Sequence, residues 1–483
     1  MAADVILALD QGSSSTRCIA YDRALRRRGA AARRVETRRP APGMVEHDPD
    51  ELLAGALEAI AEVVAEAGAA AGAVGIACQT ESFVLWERDT GRSVTPVVSW
   101  QDQRAAGLTA SLAGRPGARA VRAKTGLTLD PTFSAPKVAW LLEAEPVLRG
   151  RAEAGELAFG DVAGWLAWHL SGGTAHVAEP SNACRTLLVD LGTLRWDREL
   201  IDLFGVPAAL LPEIRRSDDP AVHVSGTAGV DAPVTAILGD QPAALYGQGC
   251  TSAGTAALTL GTGAFLWLNA GAGRPDPPPG VLATAAWERA AGATYALEAF
   301  CANAGNALDV LAGMGLDGAR SAPAPDWSRP HPLVVPAPAG LGTPHWHGAD
   351  RITILGADSA TTAADLATAG LAGVAHQIAD ALEAVDAEAA VTVVRVGGGL
   401  SAHEGLLQAV ADLSGSTLEV SEEPEASARG IAALAAEAAG LLDGAVAPPG
   451  VVRRVAPRLG PADRARERDR WQEAVEVHMR AGA

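Results

Sequence analysis

The chain has 483 residues, 48% of them hydrophobic, which is enough for two or three domains that each bury a core. Acidic residues outnumber Lys and Arg by 57 to 39, and the net charge of −18 disfavours nucleic acids and anionic membranes as partners. The only lysines are Lys124 and Lys137, and no Gly-Lys-Ser/Thr string occurs, so a P-loop nucleotide site is excluded.

The cysteines and the amino terminus indicate the compartment. Five cysteines lie far apart without a C-x-x-C pair, which favours neither a zinc site nor a disulfide framework. The first ten residues carry acidic residues where a signal peptide has basic ones, and no uncharged apolar run of about 18 residues follows. We therefore expect a soluble cytoplasmic protein with reduced thiols.

Two similar hairpins are predicted in the two halves of the chain. Apolar runs at 5–9 and 17–22 flank the tip DQGSSST, and runs at 255–260 and 265–269 flank the tip GTG. Both tips consist mainly of glycine and hydroxyl residues. The repetition predicts a duplicated domain in which the two tips face each other across a cleft.

Helices and further strands are predicted around these hairpins. Asp48, Pro49 and Glu51 form a capping pattern before a helix with apolar residues every three or four positions. In the second half a glycine turn precedes a helix that Ser401 and Glu404 are expected to cap. The order there is a long helix through 366–385, strand 391–396, GGG at 397–399, the capped helix, strand 417–420 and an alanine-rich helix at 425–441. Alternating strands and helices predict an α/β fold.

The glycine-rich tips are candidate phosphate sites. In the first tip, backbone N–H groups and hydroxyls can approach a phosphate, Asp10 can hold Mg²⁺, and Arg17 can supply the charge of the missing P-loop lysine. A hairpin without a ligand is the alternative. The turn at 397–399 brings a helix start to a strand end, which suits a nucleotide.

Three further residues are candidates for the chemistry of an acceptor site. Asp240 follows an apolar strand, and burial there would raise its pKa toward that of a useful base. Glu81 follows another buried run, and Trp100 could cover a small carbon chain. Taken singly, each carboxylate is more often a helix cap or an ion-pair partner, and the tryptophan is more often a core residue.

Segments along nearly the whole chain, in conserved order and spacing, resemble the FGGY carbohydrate kinases, and most of all the glycerol kinases among them. The segments are DQGSSSTR, GMVEHDP, SWQDQRA, DPTFSAPKVAWLLE, GDVAGWLAWHLSGG, SNACRTLLVDLGTLRWD, ILGDQPAALYGQG, LTLGTGAFLWLN and VPAPAGLGTPHW. The resemblance implies two actin-like (ribonuclease H-like) ATPase domains, 1–246 for the acceptor and first phosphate loop and 247–483 for the nucleotide. It also implies transfer of the γ-phosphate of ATP to a hydroxyl of a small polyol or sugar, and an assembly into homo-oligomers.

Site residues follow from the resemblance position by position. Asp240 is implied as the general base, and Asp10 with Asp240 as the Mg²⁺ site. The acceptor residues implied are Thr80, Glu81, Trp100, Thr132, Asp240, Gln241 and Phe265. The ATP residues implied are Gly12, Ser13, Ser14, Ser15, Arg17, Gly261, Thr262, Gly305, Asp309, Gly399 and His403, the last at a position where the family usually has Asn.

The acceptor pocket departs from the glycerol kinases at two positions. They have Arg where this chain has Thr80 and Tyr where it has Thr132. Losing both side chains should enlarge the pocket and remove two donors, which predicts poor use of glycerol. A longer polyol such as a tetritol, or a ketose such as a pentulose, fits the enlarged pocket. An actin-like ATPase without a sugar substrate and a sugar-binding paralogue with weak activity are the alternatives.

Overall fold

The computed structural model describes residues 5–115, 117–348, 350–386, 391, 393–442 and 446–481. Thr392, inside the strand predicted at 391–396, lies outside these residues. Within the described residues, no helix has the length and apolar character needed to cross a bilayer.

Twenty-three strands are described, most of them in two large sheets. In chain order they are β1 Val5–Gln11, β2 Ser15–Tyr21, β3 Arg27–Arg34, β4 Glu46–His47, β5 Ala71–Cys78, β6 Phe83–Glu87, β7 Val97–Val98, β8 Leu157–Asp161, β9 Val177–Ala178, β10 Val189–Asp190, β11 Arg195–Trp196, β12 Glu213–Ile214, β13 Val222–Thr227, β14 Val230–Gly239, β15 Thr255–Leu260, β16 Ala264–Gly271, β17 Leu282–Arg289, β18 Gly292–Cys301, β19 Leu333–Ala337, β20 Arg351–Leu355, β21 Val393–Gly397, β22 Leu418–Ser421 and β23 Val451–Val455.

Fourteen α-helices are described between these strands. They are α1 Pro49–Ala67, α2 Ala106–Ala113, α3 Ala118–Thr125, α4 Ser134–Ala144, α5 Pro146–Glu153, α6 Val162–Leu170, α7 Pro180–Ala183, α8 Arg198–Phe204, α9 Asp240–Gly247, α10 Gly305–Gly313, α11 Ala363–Asp386, α12 Glu404–Ser414, α13 Ala426–Ala438 and α14 Pro461–Arg480. Strands and helices alternate through most of the chain, so the predicted α/β class is confirmed.

The two large sheets repeat one arrangement. The first has the order β13-β14-β5-β1-β2-β3, and the second has the order β17-β18-β16-β15-β21-β22-β23. In each, an antiparallel hairpin (β1-β2 or β15-β16) pairs through its first strand with a parallel strand, β5 or β21. Both predicted hairpins are therefore present, at equivalent places in the two sheets.

The two halves share part of their cores. Helix α13, from the second half, packs on β1, β5 and β14 of the first sheet. A Cβ on Gly75 of β5 would lie 2.8 Å from the backbone oxygen of Ile431 in α13. The contact is close enough that only glycine fits there.

The helix caps agree with the predictions at one place and correct them at another. The Asp48 side chain accepts hydrogen bonds from the backbone N–H groups of Asp50 and Glu51 at the start of α1, as predicted. Ser401, in contrast, does not cap α12. It lies in a 3-10 turn, Gly399–Ala402, and His403 caps the helix instead, accepting from the backbone of Leu406 at 3.2 Å. The extra turn after the three glycines shifts the start of the helix.

Candidate active site

A cavity of about 300 Å³ lies between the two halves of the chain. All seven predicted acceptor residues contribute to its wall, including the only two, Thr80 and Thr132, that depart from the glycerol kinases. The lining residues are Ser13, Gln79, Thr80, Glu81, Trp100, Thr128, Asp130, Thr132, Phe133, Arg185, Asp240, Gln241, Phe265, Leu282, Glu298, Phe300 and Trp346.

Asp240 lies at the carboxyl end of a strand, on the cavity wall. It follows β14 and begins α9, and one of its carboxylate oxygens accepts from the backbone N–H of Gln241 at 2.8 Å. Burial, with the neighbouring carboxylates of Asp10 and Glu81, raises the pKa of Asp240 to about 8. The ionised form of such a group is a stronger base than an ordinary carboxylate, and it can accept the proton of a hydroxyl.

Asp10 lies near the carboxyl end of β1, in the same sheet as the strand that leads to Asp240. Asp10 of β1 and Leu238 of β14 both align with Ala77 of β5, which runs between them. Burial raises the pKa of Asp10 to about 6, although Arg17 opposes the shift. Two partly buried carboxyl groups with raised pKa values fit a divalent cation, and Mg²⁺ takes few protein ligands because it keeps water and substrate oxygens. Within the described chain no group of three or more His, Cys, Asp or Glu side chains could hold a metal.

The first glycine tip has the expected shape, but Arg17 is not a free cation. The N–H of Gly12 donates to the carbonyl of Ser15 at 3.0 Å, which closes the tip over Ser13 and Ser14, and Ser13 reaches the cavity. Arg17 forms an ion pair with Glu425 at 2.9 Å, with 42% of the arginine side chain exposed. The charge that the sequence suggested for a phosphate is thus shared with a carboxylate from the second half.

Three glycine segments that are distant in sequence meet at the second tip. The backbone N–H of Gly305 donates to the carbonyl of Gly261 at 3.0 Å, and those of Ala304 and Asn306 donate to the carbonyl of Thr262. A Cβ on Gly398, whose φ is 88°, would lie 2.4 Å from the Leu260 carbonyl oxygen. Gly399 begins the 3-10 turn that follows. The structure therefore brings Gly261, Thr262 and Gly305 close to the third glycine turn.

The two remaining residues predicted for ATP have partners of their own. Asp309 on α10 is paired with Arg320, and about half of each side chain is exposed. His403 uses one ring nitrogen to cap α12. Neither interaction contradicts a place near the nucleotide.

Sequence reasoning missed three charged residues of the cavity, Asp130, Arg185 and Glu298. Arg185 lies in the 3-10 turn Cys184–Thr186, and it donates from Nε to Glu81 at 2.5 Å and from Nη1 to Glu298 at 2.6 Å. Its side chain is 5% exposed. Glu298 had a signal in the sequence, because it is a charged residue within the largely apolar run YALEAF, and Arg185 lies in the family-like segment SNACRTLLVDLGTLRWD.

Arg185 gives the cavity a guanidinium that the sequence analysis did not weigh. The sequence predicted that replacing an arginine by Thr80 would leave the pocket without that donor. Arg185, from a segment more than a hundred residues further along, brings a guanidinium to the same cavity. The Thr80 hydroxyl donates to Glu81 at 2.6 Å.

Lys137 stabilises the cavity wall from behind. Its side chain is fully buried, and Nζ donates to the backbone carbonyls of Thr132 at 2.5 Å and Ser99 at 2.9 Å. Burial lowers the pKa of Lys137 to about 7, against the influence of nearby carboxylates. Since Ser99 precedes Trp100, the Lys137 side chain connects the two segments that carry the lining residues Trp100 and Thr132.

Comparisons with known proteins match this architecture throughout. Family models for the N-terminal and C-terminal domains of the FGGY family of carbohydrate kinases match residues 5–247 and 256–439. A glycerol kinase from Citrifermentans bemidjiense is 41% identical over 99% of both chains, and one from Thermus brockianus is 43% identical over 85% of both. The crystal structure of Plasmodium falciparum glycerol kinase with ADP superposes with a TM-score of 0.91 at 26% identity, covering 99% of this chain and 98% of that one.

Proposed function

The chain belongs to the FGGY family of carbohydrate kinases and is an ATP-dependent kinase of a polyol or sugar, and we propose that Asp240 is its general base. The observation that carries this proposal is the place of Asp240, a partly buried carboxyl group of raised pKa on the wall of a cavity between the two halves. In this proposal, residues 1–246 contribute most of the acceptor site and residues 247–483 bind the nucleotide. Because the reaction consumes ATP, we place the enzyme in the cytoplasm.

In the transfer step, the acceptor oxygen forms a bond to the γ-phosphorus while the bond from that phosphorus to the β–γ bridging oxygen breaks. ADP leaves, and Asp240 accepts the hydroxyl proton. Asp10 and Asp240 are the carboxylates that fit Mg²⁺, which when bound neutralises charge on the phosphates. The residues of the two tips, Gly12–Ser15 and Gly261–Thr262, hold the transferring group in position through N–H and O–H donors.

We place the nucleotide along the glycine contacts of the second half. Gly305 and Gly399 let the backbone approach the sugar and base closely, and Asp309 and His403 border the same region. Arg17 contributes to the phosphate site through its pair with Glu425, so its charge acts on the phosphates only in part.

The acceptor is proposed to be a neutral polyol longer than glycerol, such as a tetritol, or a ketose. Two threonines at 80 and 132 line the cavity with short side chains, and the Thr80 hydroxyl is already engaged by Glu81. A site built to pair hydroxyls discriminates strongly against substrates that leave its polar groups unpaired.

The deciding experiment is an acceptor panel of glycerol, erythritol, threitol, xylitol and pentuloses, with ADP release as the readout and ATP with Mg²⁺ present. We expect ADP release to depend on the acceptor, with a four- or five-carbon compound having the highest kcat/KM. Equal ATP hydrolysis with and without every acceptor would contradict the kinase activity. If glycerol had the highest kcat/KM of the panel, the proposal of an acceptor longer than glycerol would be wrong.

A further inference from the structure

We propose that Arg185 is a specificity-determining residue that binds a hydroxyl of the acceptor away from the reacting one, and that Glu298 of the second half holds it in position. This inference rests on the proposed function and identifies how the same cavity recognises its substrate. It starts from the one guanidinium among the cavity-lining residues, which also include the short side chain of Thr80.

The position of Arg185 is fixed from several directions. Two carboxylates, Glu81 and Glu298, engage its Nε and Nη1. Its guanidinium carbon lies 5.2 Å from the ring centre of Phe133 and 5.8 Å from that of Trp267, which restrains the plane of the group. A guanidinium has five N–H donors in a fixed plane, so the two ion pairs leave Nη2 available for a ligand in the cavity.

The charge of Arg185 is permanent. Burial works against it, but the carboxylates of Glu298 and Glu81 hold the pKa of Arg185 above its usual value. Four carboxylates line the same cavity, on Glu81, Asp130, Asp240 and Glu298. Even with Asp240 protonated, negative charge exceeds positive charge there. Arg185 is therefore a donor for neutral hydroxyls, and the cavity disfavours an acidic sugar.

Glu298 connects this contact to the second half of the chain. It lies on β18, whereas Arg185 and Glu81 lie in the first half. Since Glu298 fixes the guanidinium that contacts the acceptor, the second half contributes to acceptor recognition as well as to nucleotide binding. A residue that only stabilised the fold would change the KM values for ATP and acceptor alike. Substitution of Glu298 should change the KM for the acceptor alone.

The test compares Arg185→Lys and Glu298→Gln with wild type, and uses Arg195→Lys as a matched control. Arg195 is a half-exposed arginine that pairs with Glu288 at 3.4 Å outside the cavity. KM and kcat are measured for ATP and for erythritol, threitol and glycerol, with gluconate as the acidic compound, and thermal unfolding confirms that each variant is folded. Lysine keeps the charge but cannot satisfy two carboxylates and a ligand in one plane.

We expect Arg185→Lys to raise the acceptor KM at least tenfold and to narrow the preference between three- and four-carbon acceptors, with the KM for ATP within twofold. Glu298→Gln should raise the acceptor KM severalfold. If Arg185→Lys does not fold, the acceptor KM of Glu298→Gln tests the inference instead. The inference is overturned if a folded variant keeps the wild-type acceptor KM values and the wild-type order of acceptors. It is also overturned if the KM values for ATP and for all acceptors rise by the same factor. A wild-type enzyme without acceptor-dependent ADP release contradicts the proposed function instead.

Discussion

The hydroxyl of Thr80 donates to the Oε2 of Glu81 at 2.6 Å, within the wall of the proposed acceptor cavity. The same glutamate accepts from Arg185 through its other oxygen. Glu81 has a φ of 62°, in the left-handed region that residues other than glycine seldom adopt. Its carboxylate is thus held at both oxygens before any acceptor is bound.

Thr80→Arg should improve the use of glycerol. A charged donor at this buried position would pair a hydroxyl that Thr80 cannot reach, and a hydrogen bond to a charged group contributes about 1.5–3 kcal/mol. We expect kcat/KM for glycerol to rise about tenfold relative to that for the longer acceptors. Thr80→Ser keeps the hydroxyl and serves as the control, with an unchanged ranking of acceptors. A folded Thr80→Arg enzyme with the wild-type ranking would show that position 80 does not contact the acceptor.

Asp240→Asn should abolish phosphate transfer without unfolding the protein. The amide oxygen can still accept from the N–H of Gln241, but it cannot accept the proton of the attacking hydroxyl. General-base catalysis contributes about 10²–10⁴-fold, so kcat measured by ADP release should fall by at least that much. Asp231→Asn, at a side chain that is 80% exposed, is the matched control. An Asp240→Asn enzyme with near-wild-type kcat would assign the base to another group.

Lys137→Met should destabilise the protein and loosen the acceptor site. Removing Nζ leaves the carbonyls of Thr132 and Ser99 buried without their donor, at about 1–3 kcal/mol each. The free energy of unfolding from urea titration should fall by that order, and the acceptor KM should rise while the KM for ATP stays the same. Lys124→Met is the control, since Lys124 forms only partly exposed ion pairs with Asp197 and Glu199. Equal stability of the two variants would disprove the role of Lys137.

Gly430→Ala should damage both stability and catalysis, because α9 and α13 cross with their backbones in contact. A Cβ on Gly430 would lie 1.8 Å from the carbonyl oxygen of Ala243. Forcing the helices apart costs about 1–3 kcal/mol and displaces α9, which begins with Asp240. Calorimetry and kcat should both report the loss. Gly107→Ala, in α2 with no atom within 4 Å of the added carbon, should be neutral or stabilising by up to about 1 kcal/mol.

His176 should make the protein less stable in acid. Arg88 donates to its Nδ1 at 3.0 Å, so its Nε2 carries the proton and donates to the carbonyl of Phe159 at 2.8 Å. Burial, together with Arg88, lowers the pKa of His176 to about 4 from a usual value near 6.5. Between those values the unfolded chain binds a proton that the folded chain does not, so stability falls as the pH decreases.

The comparison for this prediction is His176→Gln, whose amide can accept from Arg88 and donate to Phe159. The stability advantage of wild type over this variant should shrink by roughly 2 kcal/mol between pH 7 and pH 5, at 1.36 kcal/mol for each pKa unit. Urea titrations at the two pH values measure it. A difference that does not change with pH would mean that His176 binds its proton equally in both states.

Local patterns in the sequence determined the fold class and pointed to three residues of the cavity wall, Glu81, Trp100 and Asp240. The two hairpins, the cap at Asp48 and the strand before Asp240 depend on hydrophobic period and turn residues within a few positions, and such signals can be read along the chain. The Gly/Ser and Gly/Thr tips also predicted where the backbone can come close to a ligand. Site residues came from motif resemblance, and the seven acceptor positions indeed line one cavity.

What only the tertiary structure decided are the pairings of side chains that are far apart in sequence. Arg185 meets Glu81 and Glu298, and Arg17 meets Glu425, because chain folding brings buried or partly buried charges together and each needs a partner. No local pattern specifies which carboxylate a given arginine will reach. The cap at His403 was decided in the same way, because a 3-10 turn moves the helix start beyond Ser401. Sequence thus determined which elements form and which face each of them buries. Packing determined which charged side chains share the cavity, because burying an unpaired charge costs more free energy than local propensity can offset.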